Sequence, residues 1–167
     1  MALIVRREGD EDVDAIRAVH ATSFPSDDEA RLVDALRAAG RLELSLVAEL
    51  DGAVVGHVAF SPVTLAGTDD GTGLAPVAVL PAHRRRGVAA ELIRAGLRAC
   101  EEARCGFVVL LGDPGYYRRF GFVPASRFGL RDEYGGGDAF QALELRDGAL
   151  PPEGGLVRYA PEFAAFS

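Results

Sequence analysis

The spacing of apolar positions divides the chain into strand-like and helix-like segments. Short apolar runs predict strands, and apolar residues three or four positions apart predict amphipathic helices. The predicted strands cover residues 3–6, 44–50, 53–63, 74–80, 107–111, 122–123, 139–145 and 156–159. The predicted helices cover residues 11–24, 88–104 and 114–120, with one more between Ser26 and Gly40. This order predicts a mixed α+β fold.

Turn and cap residues set several of these boundaries. Ser26 and Glu29 have the S-x-x-E spacing of a capping box, which predicts a helix start, and Gly40 predicts its end. Asp51-Gly52 favours a tight hairpin, so the strands on either side are expected to pair antiparallel. The stretch from Thr68 to Gly73 is rich in turn formers.

The segment from residue 74 to residue 111 has the length and pattern of a βαβ unit, whose crossover is almost always right-handed. Its second strand, Phe107 to Leu111, is apolar throughout and is therefore expected to be a buried parallel strand. The chain contains neither an internal repeat nor a long linker, so residues 1–167 are interpreted as a single domain.

Composition and charge reduce the number of functional classes that fit the sequence. The formal charge is -7, which argues against nucleic acid as the main partner. All 18 basic residues are arginine, and no apolar run is long enough for a membrane span. Cys100 and Cys105 do not form a CxxC motif, so they are expected to be reduced thiols. The early acidic residues do not fit a signal peptide, which predicts a cytoplasmic location.

Positive charge is concentrated where the predicted strand 74–80 leads into a helix. Arg84, Arg85 and Arg86 precede Gly87, and the small residue Ala89 follows. A helix N-terminus presents free N–H groups and partial positive charge, so this segment can bind a phosphate. A solvated arginine turn is the alternative, but its place after a buried strand favours the anion site. The segment fits neither the dinucleotide nor the nucleoside-triphosphate fingerprint.

These residues resemble the signature of the GNAT superfamily of N-acetyltransferases. Val79-Leu80-Pro81 followed by Arg84-x-x-Gly87-x-Ala89 is similar to the family's R/Q-x-x-G-x-G/A loop, which holds the pyrophosphate of acetyl-coenzyme A. The stretch GDPGYYRRFGF at 112–122 is similar to the family's segment after its fifth strand. The resemblance implies a GNAT-like fold, with a mostly antiparallel mixed sheet of about seven strands, a βαβ crossover and flanking helices.

The resemblance also implies a chemistry and a set of binding residues. Acetyl-coenzyme A would be the cosubstrate, and a small-molecule or protein amine the acceptor, attacking directly in a ternary complex. No metal is expected, and whether the chain acts as a homodimer stays open. The implied cofactor-binding residues are Val77, Ala78, Val79, Arg84, Arg85, Arg86, Gly87, Val88, Ala89, Ala90, Asp113, Tyr116 and Tyr117.

Three residues are candidates for proton transfer. Tyr117 occupies the family's tyrosine position and is the candidate acid for the departing thiolate, while Tyr116 is expected to pack. His57 is a candidate base, although a buried structural histidine is the favoured alternative. Glu49 is a weaker candidate base. Asp113 stands where many members carry asparagine, and a helix cap is its favoured role.

Two other functions are compatible with the sequence. A GNAT-like domain could bind acyl-coenzyme A as a sensor without turnover, or the arginines could recognise an acidic protein surface. His20 is expected on the surface of the first helix, and none of the histidines has metal-ligand spacing.

Overall fold

The computed structural model of the chain describes residues 2–66 and 68–166. The strands are β1 (Leu3–Arg7), β2 (Leu44–Leu50), β3 (Ala53–Pro62), β4 (Thr64–Leu65), β5 (Gly71–Val79), β6 (Phe107–Leu111), β7 (Val123–Pro124), β8 (Leu130–Asp132), β9 (Phe140–Glu144) and β10 (Gly155–Arg158). The α-helices are α1 (Val13–Ser23), α2 (Asp28–Ala38), α3 (Val88–Glu102) and α4 (Pro114–Tyr117). Short 3-10 segments complete the secondary structure, including Asp10–Asp12 before α1 and Arg118–Phe120 after α4.

Seven of the strands form one mixed sheet, in the order β1-β2-β3-β5-β6-β9-β7. β5 and β6 run parallel, whereas β1 with β2, β2 with β3, β6 with β9 and β7 with β9 pair antiparallel. The predicted α+β class, the sheet of about seven strands and the crossover through α3 are therefore confirmed.

By its internal contacts the chain divides into two compact units, neither of which is a continuous segment. Unit 1 comprises residues 1–60, 76–98 and 161–167, and unit 2 comprises residues 61–75 and 99–160. The two units are described separately below. The single-domain interpretation stays a prediction.

In unit 1, β3 is covered on both faces. His57 and Ala59 lie on the face that packs against α1 and α2, where Ala59 joins an apolar cluster with Ile16 and Val33. Gly56 and Phe60 face α3, because a side chain on Gly56 would meet Leu92 and one on Gly96 would overlap the Phe60 ring. Alternating residues of one strand thus support helices on opposite sides, as the two-residue period of a strand requires.

In unit 2, β6 is buried from Phe107 to Leu110, as predicted, whereas Leu111 at its end is 41% exposed. A separate three-stranded sheet, β4-β10-β8, was not predicted as such. Its strands are two to four residues long, and β10 pairs antiparallel with β4 but parallel with β8. Strands this short have little hydrophobic pattern of their own, so tertiary pairing decides them.

Two local predictions were wrong. β5 begins at Gly71 rather than at residue 74, because Gly71 to Gly73 pair with Phe107 to Val109 of β6. The capping box does not form: Asp27, not Ser26, is the N-cap of α2, and the Ser26 hydroxyl accepts from the Asp28 N–H at 3.2 Å. The turn predicted from Thr68 to Gly73 is wrong at its last three residues, which belong to β5, whereas the predictions for Gly40 and for Asp51-Gly52 are confirmed. Gly40 ends α2 with φ +72°, and Asp51 and Gly52 adopt the positive φ of the hairpin turn.

Candidate functional site

The loop between β5 and α3 carries the chain from a strand end into a 15-residue helix. Leu80 donates its N–H to the Val55 carbonyl at 2.8 Å, and Pro81–His83 form a 3-10 turn. The Glu91 N–H bonds to the Gly87 carbonyl at 3.0 Å as the helix begins. The first N–H groups of a helix have no acceptor within it, so in the described part of the chain the N–H groups of Val88, Ala89 and Ala90 can donate to a ligand.

The backbone is open where this helix begins. Gly87 has φ +79°, and a Cβ there would meet nothing within 4 Å. Glycine is therefore required for its conformation, and a ligand can approach the peptide closely. Arg85 also adopts a positive φ, +64°, which is strained for a residue with a side chain. Open space, free donors and a helix dipole together fit a diphosphate.

The three arginines of the loop have different surroundings. Arg84 donates from Nε to the Val79 carbonyl at 3.0 Å and from Nη2 to the Ser23 carbonyl at 3.2 Å. The Ser23 hydroxyl donates to the same Val79 carbonyl at 3.2 Å. Arg84 thus ties the loop to the end of α1 and to β5. Arg85 and Arg86 are exposed, and within the described part of the chain neither makes a hydrogen bond or ion pair, so both are free to meet an anion.

The strand that leads into this loop loses its neighbour part of the way along. In unit 2, the parallel ladder between β5 and β6 ends at Gly73 and Val109, although both strands continue. In unit 1, β5 ends with Val77, which is half-buried, and with Ala78 and Val79, which are buried. A strand that leaves its ladder offers backbone N–H and C=O groups to an extended ligand.

In unit 2, Asp113 confirms its predicted role as a helix cap. Its carboxylate accepts the Gly115 N–H at 2.9 Å, and its carbonyl accepts the N–H groups of Tyr116 at 3.0 Å and Tyr117 at 3.1 Å. The short helix α4 is therefore fixed at its first residue, where Pro114 needs no acceptor.

The two tyrosines of α4 are both half-buried. The Tyr117 ring lies against Gly112, where a Cβ would come within 2.5 Å of Cε2, and contacts Phe122 edge to face at 6.1 Å. Burial raises the pKa of Tyr117 to about 12, with a smaller contribution from Tyr116. The phenol therefore keeps its proton at neutral pH and can donate a hydrogen bond. The Tyr116 ring packs under the Arg119 guanidinium at 4.2 Å.

His57, in unit 1, has no exposed surface and belongs to a buried chain of side-chain hydrogen bonds. Its Nε2 lies 2.7 Å from the Ser45 hydroxyl, and its Nδ1 lies 2.8 Å from Nε2 of His20. Ser45 also donates to Glu8, which receives two bonds from Arg37 at 2.9 Å. His57 is therefore a buried histidine, which was the favoured alternative from the sequence, and side chains are its hydrogen-bond partners.

Counting protons along this chain fixes the histidine tautomers. The ionised Glu8 only accepts, so Ser45 donates to it and must accept from Nε2–H of His57. Burial lowers the pKa of His20 to about 4 and that of His57 well below its usual value, so both rings are neutral. His57 then accepts at Nδ1 from Nε2–H of His20. The remaining Nδ1 of His20 is a bare acceptor, buried and without a partner among the described residues.

The expected surface position of His20 was wrong. His20 has no exposed surface, and its ring stacks on Phe24 at 6.1 Å. It lies four residues after Ile16 and one after Val19, both buried, so it shares their face of α1. Its spacing from Ile16 and Val19 indicates a buried position, whereas the polarity of imidazole favours the surface. Hydrogen bonding to His57 makes the burial tolerable.

The carboxylate of Glu49 already forms an ion pair. Its Oε1 accepts from Nη2 of Arg6 at 3.1 Å, and the same guanidinium binds Asp12 at 2.7 Å. Because its carboxylate is engaged in this way, Glu49 is the weakest of the candidate bases.

The described residues also provide evidence on metal binding, on the cysteines and on membrane-spanning helices. In the ranges 2–66 and 68–166, no group of three or more His, Cys, Asp and Glu side chains is placed to hold a metal ion. Cys100 and Cys105 are free thiols, as predicted. None of the helices in the described ranges combines the length and the apolar character that crossing a membrane requires.

The sequence is similar to proteins of one known family. Residues 5–125 match the model of the acetyltransferase (GNAT) domain. The chain is 44% identical over 167 residues to YhbS of Escherichia coli K12, named as an uncharacterized N-acetyltransferase, which covers 98% of this chain and 100% of the relative. It is 38% identical over 120 residues to another such protein of that bacterium, YjhQ, covering 69% of this chain and 66% of the relative.

Two solved structures agree in fold and sequence. The crystal structure of YhbS from Escherichia coli in complex with CoA superposes with a TM-score of 0.94 and 43% identity, covering 99% of this chain and 93% of that one. A GNAT acetyltransferase from Brucella melitensis in complex with acetyl-CoA gives 0.81 and 42%, covering 97% of this chain and 98% of that one.

Proposed function

Because this chain belongs to the GNAT superfamily of N-acetyltransferases, we propose that it transfers the acetyl group of acetyl-coenzyme A to a primary amine. The observation that carries the proposal is the start of α3, where free N–H groups, an open Gly87 and two unengaged arginines meet. The relatives solved with CoA and with acetyl-CoA support the same cosubstrate.

In this proposal each part of the loop has its own task. The N–H groups of Arg86, Gly87, Val88 and Ala89 bind the pyrophosphate, and the guanidinium groups of Arg85 and Arg86 add charge. Arg84 holds the loop in shape through its bonds to Val79 and Ser23. The backbone groups of Val77 and the N–H of Val79, whose carbonyl already accepts from Arg84 and Ser23, bind the amides of the pantetheine arm. A backbone N–H of β5 stabilises the developing oxyanion.

The reaction is a direct attack in a ternary complex. The substrate ammonium, with a pKa of about 10 in water, loses a proton, and its lone pair attacks the thioester carbonyl carbon. Collapse of the tetrahedral intermediate breaks the C–S bond. The attacking nitrogen loses a second proton as the amide forms, and the departing sulfur takes up a proton. Tyr117 is the proposed donor, because it occupies the tyrosine position that the resemblance implies and its phenol carries a proton at neutral pH. His57 and Glu49 stay candidates for the base. The buried hydrogen bonds of His57 argue against the first, and the ion pair with Arg6 argues against the second.

The acceptor class follows only weakly from charge. A formal charge of -7 favours the approach of cationic amines through long-range attraction. We therefore propose a small-molecule or protein amine as the acceptor. A cytoplasmic location is proposed as well. A panel of amines screened for release of coenzyme A tests the activity and the acceptor class together.

The cosubstrate site is tested by Gly87→Glu. The new carboxylate would enter the phosphate site, so the Kd for acetyl-coenzyme A should rise by about tenfold or more, measured by titration calorimetry. Gly52→Glu is the matched control, since Gly52 also has a positive φ, +82°, and open space around a Cβ. Equal affinity in wild type and Gly87→Glu would remove the loop from the site. No binding by wild type would overturn the proposed function.

A further inference from the structure

Gln141 is a buried polar residue of β9 that the reaction proposed above does not use. It has no exposed surface and lies opposite Leu110 in the ladder between β6 and β9. Its Nε2 donates to the Gly112 carbonyl at 3.1 Å and to the Ala139 carbonyl at 3.3 Å. Its Oε1 has no partner among residues 2–66 and 68–166.

The unpartnered Oε1 makes this side chain costly. A buried polar atom without a hydrogen bond destabilises the folded state, and an apolar side chain of the same size would avoid that cost. The orientation of the amide is nevertheless fixed, because both neighbouring groups are carbonyls and only the NH₂ can serve them. The gain from Gln141 therefore lies in holding those carbonyls.

The carbonyl of Gly112 is the more dependent of the two. The Ala139 carbonyl also accepts the Gly112 N–H at 2.9 Å, so it would keep a partner without Gln141. Gly112 is the residue that leads from the end of β6 into the cap at Asp113. The Ala139 carbonyl accepts from the N–H of Gly112, and the Gln141 amide donates to its C=O. The backbone of Gly112 is therefore held on both sides.

This peptide supports Tyr117. The Tyr117 ring lies directly on the Cα of Gly112, with no room for a Cβ between them. The N–H of Tyr117 is held by the next residue, Asp113. A shift of the Gly112 peptide would therefore move both the surface under the ring and the start of α4. All of these contacts lie within unit 2.

We propose that Gln141 is a positioning residue for Tyr117: its amide fixes the Gly112 peptide and thereby holds the phenol in place for proton donation. The inference rests on the proposed function for its catalytic consequence. Its structural part, the support of the Tyr117 ring through Gly112, does not depend on activity.

The test compares Gln141→Met, which keeps the length of the side chain but removes the donor, with Phe107→Leu. Phe107 is buried at the opposite end of β6, so its truncation should destabilise the same sheet without touching Gly112. We expect Gln141→Met to lower kcat about three- to thirtyfold, with an unchanged Kd for acetyl-coenzyme A. Phe107→Leu should cost as much unfolding free energy or more, yet change kcat less than twofold.

A second measurement is independent of turnover. In NMR titrations of the tyrosine ring signals, Tyr117 should titrate near 12 in wild type and in Phe107→Leu, but closer to 10 in Gln141→Met as the ring loosens. If wild type has no activity, the proposed function fails while this titration still decides the structural part. Unchanged kcat and titration in Gln141→Met, or equal changes in both variants, would overturn the inference. Gln141→Leu, which lacks the donor and buries no polar atom, replaces Gln141→Met if that variant does not fold.

Discussion

At the scale of single residues, the chemistry depends on how burial sets protonation. Tyr117 is raised to a pKa of about 12, so it is a donor at neutral pH and becomes a phenolate only in strong alkali. The pKa values of His57 and His20 are shifted downwards instead, which again favours the neutral form. Burial disfavours the charged form in each case, and the opposite directions follow from the opposite charges of phenolate and imidazolium.

Replacing Tyr117 by Phe should separate catalysis from binding. The change removes the hydroxyl but keeps the ring on Gly112, so we expect kcat to fall by about tenfold to a thousandfold, with little change in the Kd for acetyl-coenzyme A. Steady-state kinetics and calorimetry measure the two effects. Tyr116→Phe is the control and should change kcat only slightly. If Tyr117→Phe keeps full turnover while chemistry is the slow step, Tyr117 is not the acid.

At the scale of elements, α3 has two separate duties. Its N-terminus supplies the proposed pyrophosphate site, and its buried face packs on β3. Gly96 belongs to that face, where a Cβ would overlap the ring of Phe60, itself without exposed surface. The close approach of helix and strand therefore requires glycine, although glycine is a poor helix former.

The substitution Gly96→Ala reverses the usual sign of its effect. In an exposed helix interior it would stabilise by about 0.5–1 kcal/mol, but overpacking at Phe60 should cost about 1–3 kcal/mol. We expect a net loss of about 1–2 kcal/mol in the free energy of unfolding, measured by urea denaturation. The double variant with Phe60→Leu should recover part of that loss. A gain in stability from Gly96→Ala alone would show that α3 does not pack this closely.

At the scale of the whole molecule, the buried histidine pair links stability to pH. The unfolded chain binds protons on histidine near pH 6.5, whereas folded His20 does so only near 4, and folded His57 well below the usual value. Between these limits the unfolded chain binds more protons, so stability falls as the pH falls. Asp34 weakly opposes the shift of His20, and Arg37 strengthens that of His57.

Unfolding in urea at pH 7 and pH 5 should reveal this coupling. His20 alone should account for a loss of about 2 kcal/mol between the two values, with more from His57. Asp12 and Glu162 have lowered pKa values, so their losses come at lower pH and leave this window clear. His20→Gln should flatten the dependence. An equal slope in wild type and His20→Gln would contradict the neutral, buried state of His20.

The sequence alone determined most of the helices and strands and predicted the loop proposed as the cosubstrate site. The β5–α3 loop could be predicted because the features that suggest an anion site are local: a glycine at a helix start, a run of arginines and a preceding strand. The Asp51-Gly52 turn, the Gly40 helix end and the Asp113 cap are likewise set by neighbouring residues in the chain. Each of these predictions needed contacts only a few positions apart.

Tertiary structure alone decided which polar groups meet inside the molecule. The chain from Glu8 through Ser45 and His57 to His20 joins positions up to 49 apart in the sequence, and the Gln141 bond to Gly112 spans 29. The start of β5 at Gly71 depended on β6 in the same way. Such contacts leave no periodic trace in the sequence, because a buried polar side chain is tolerated only once its partners are in place.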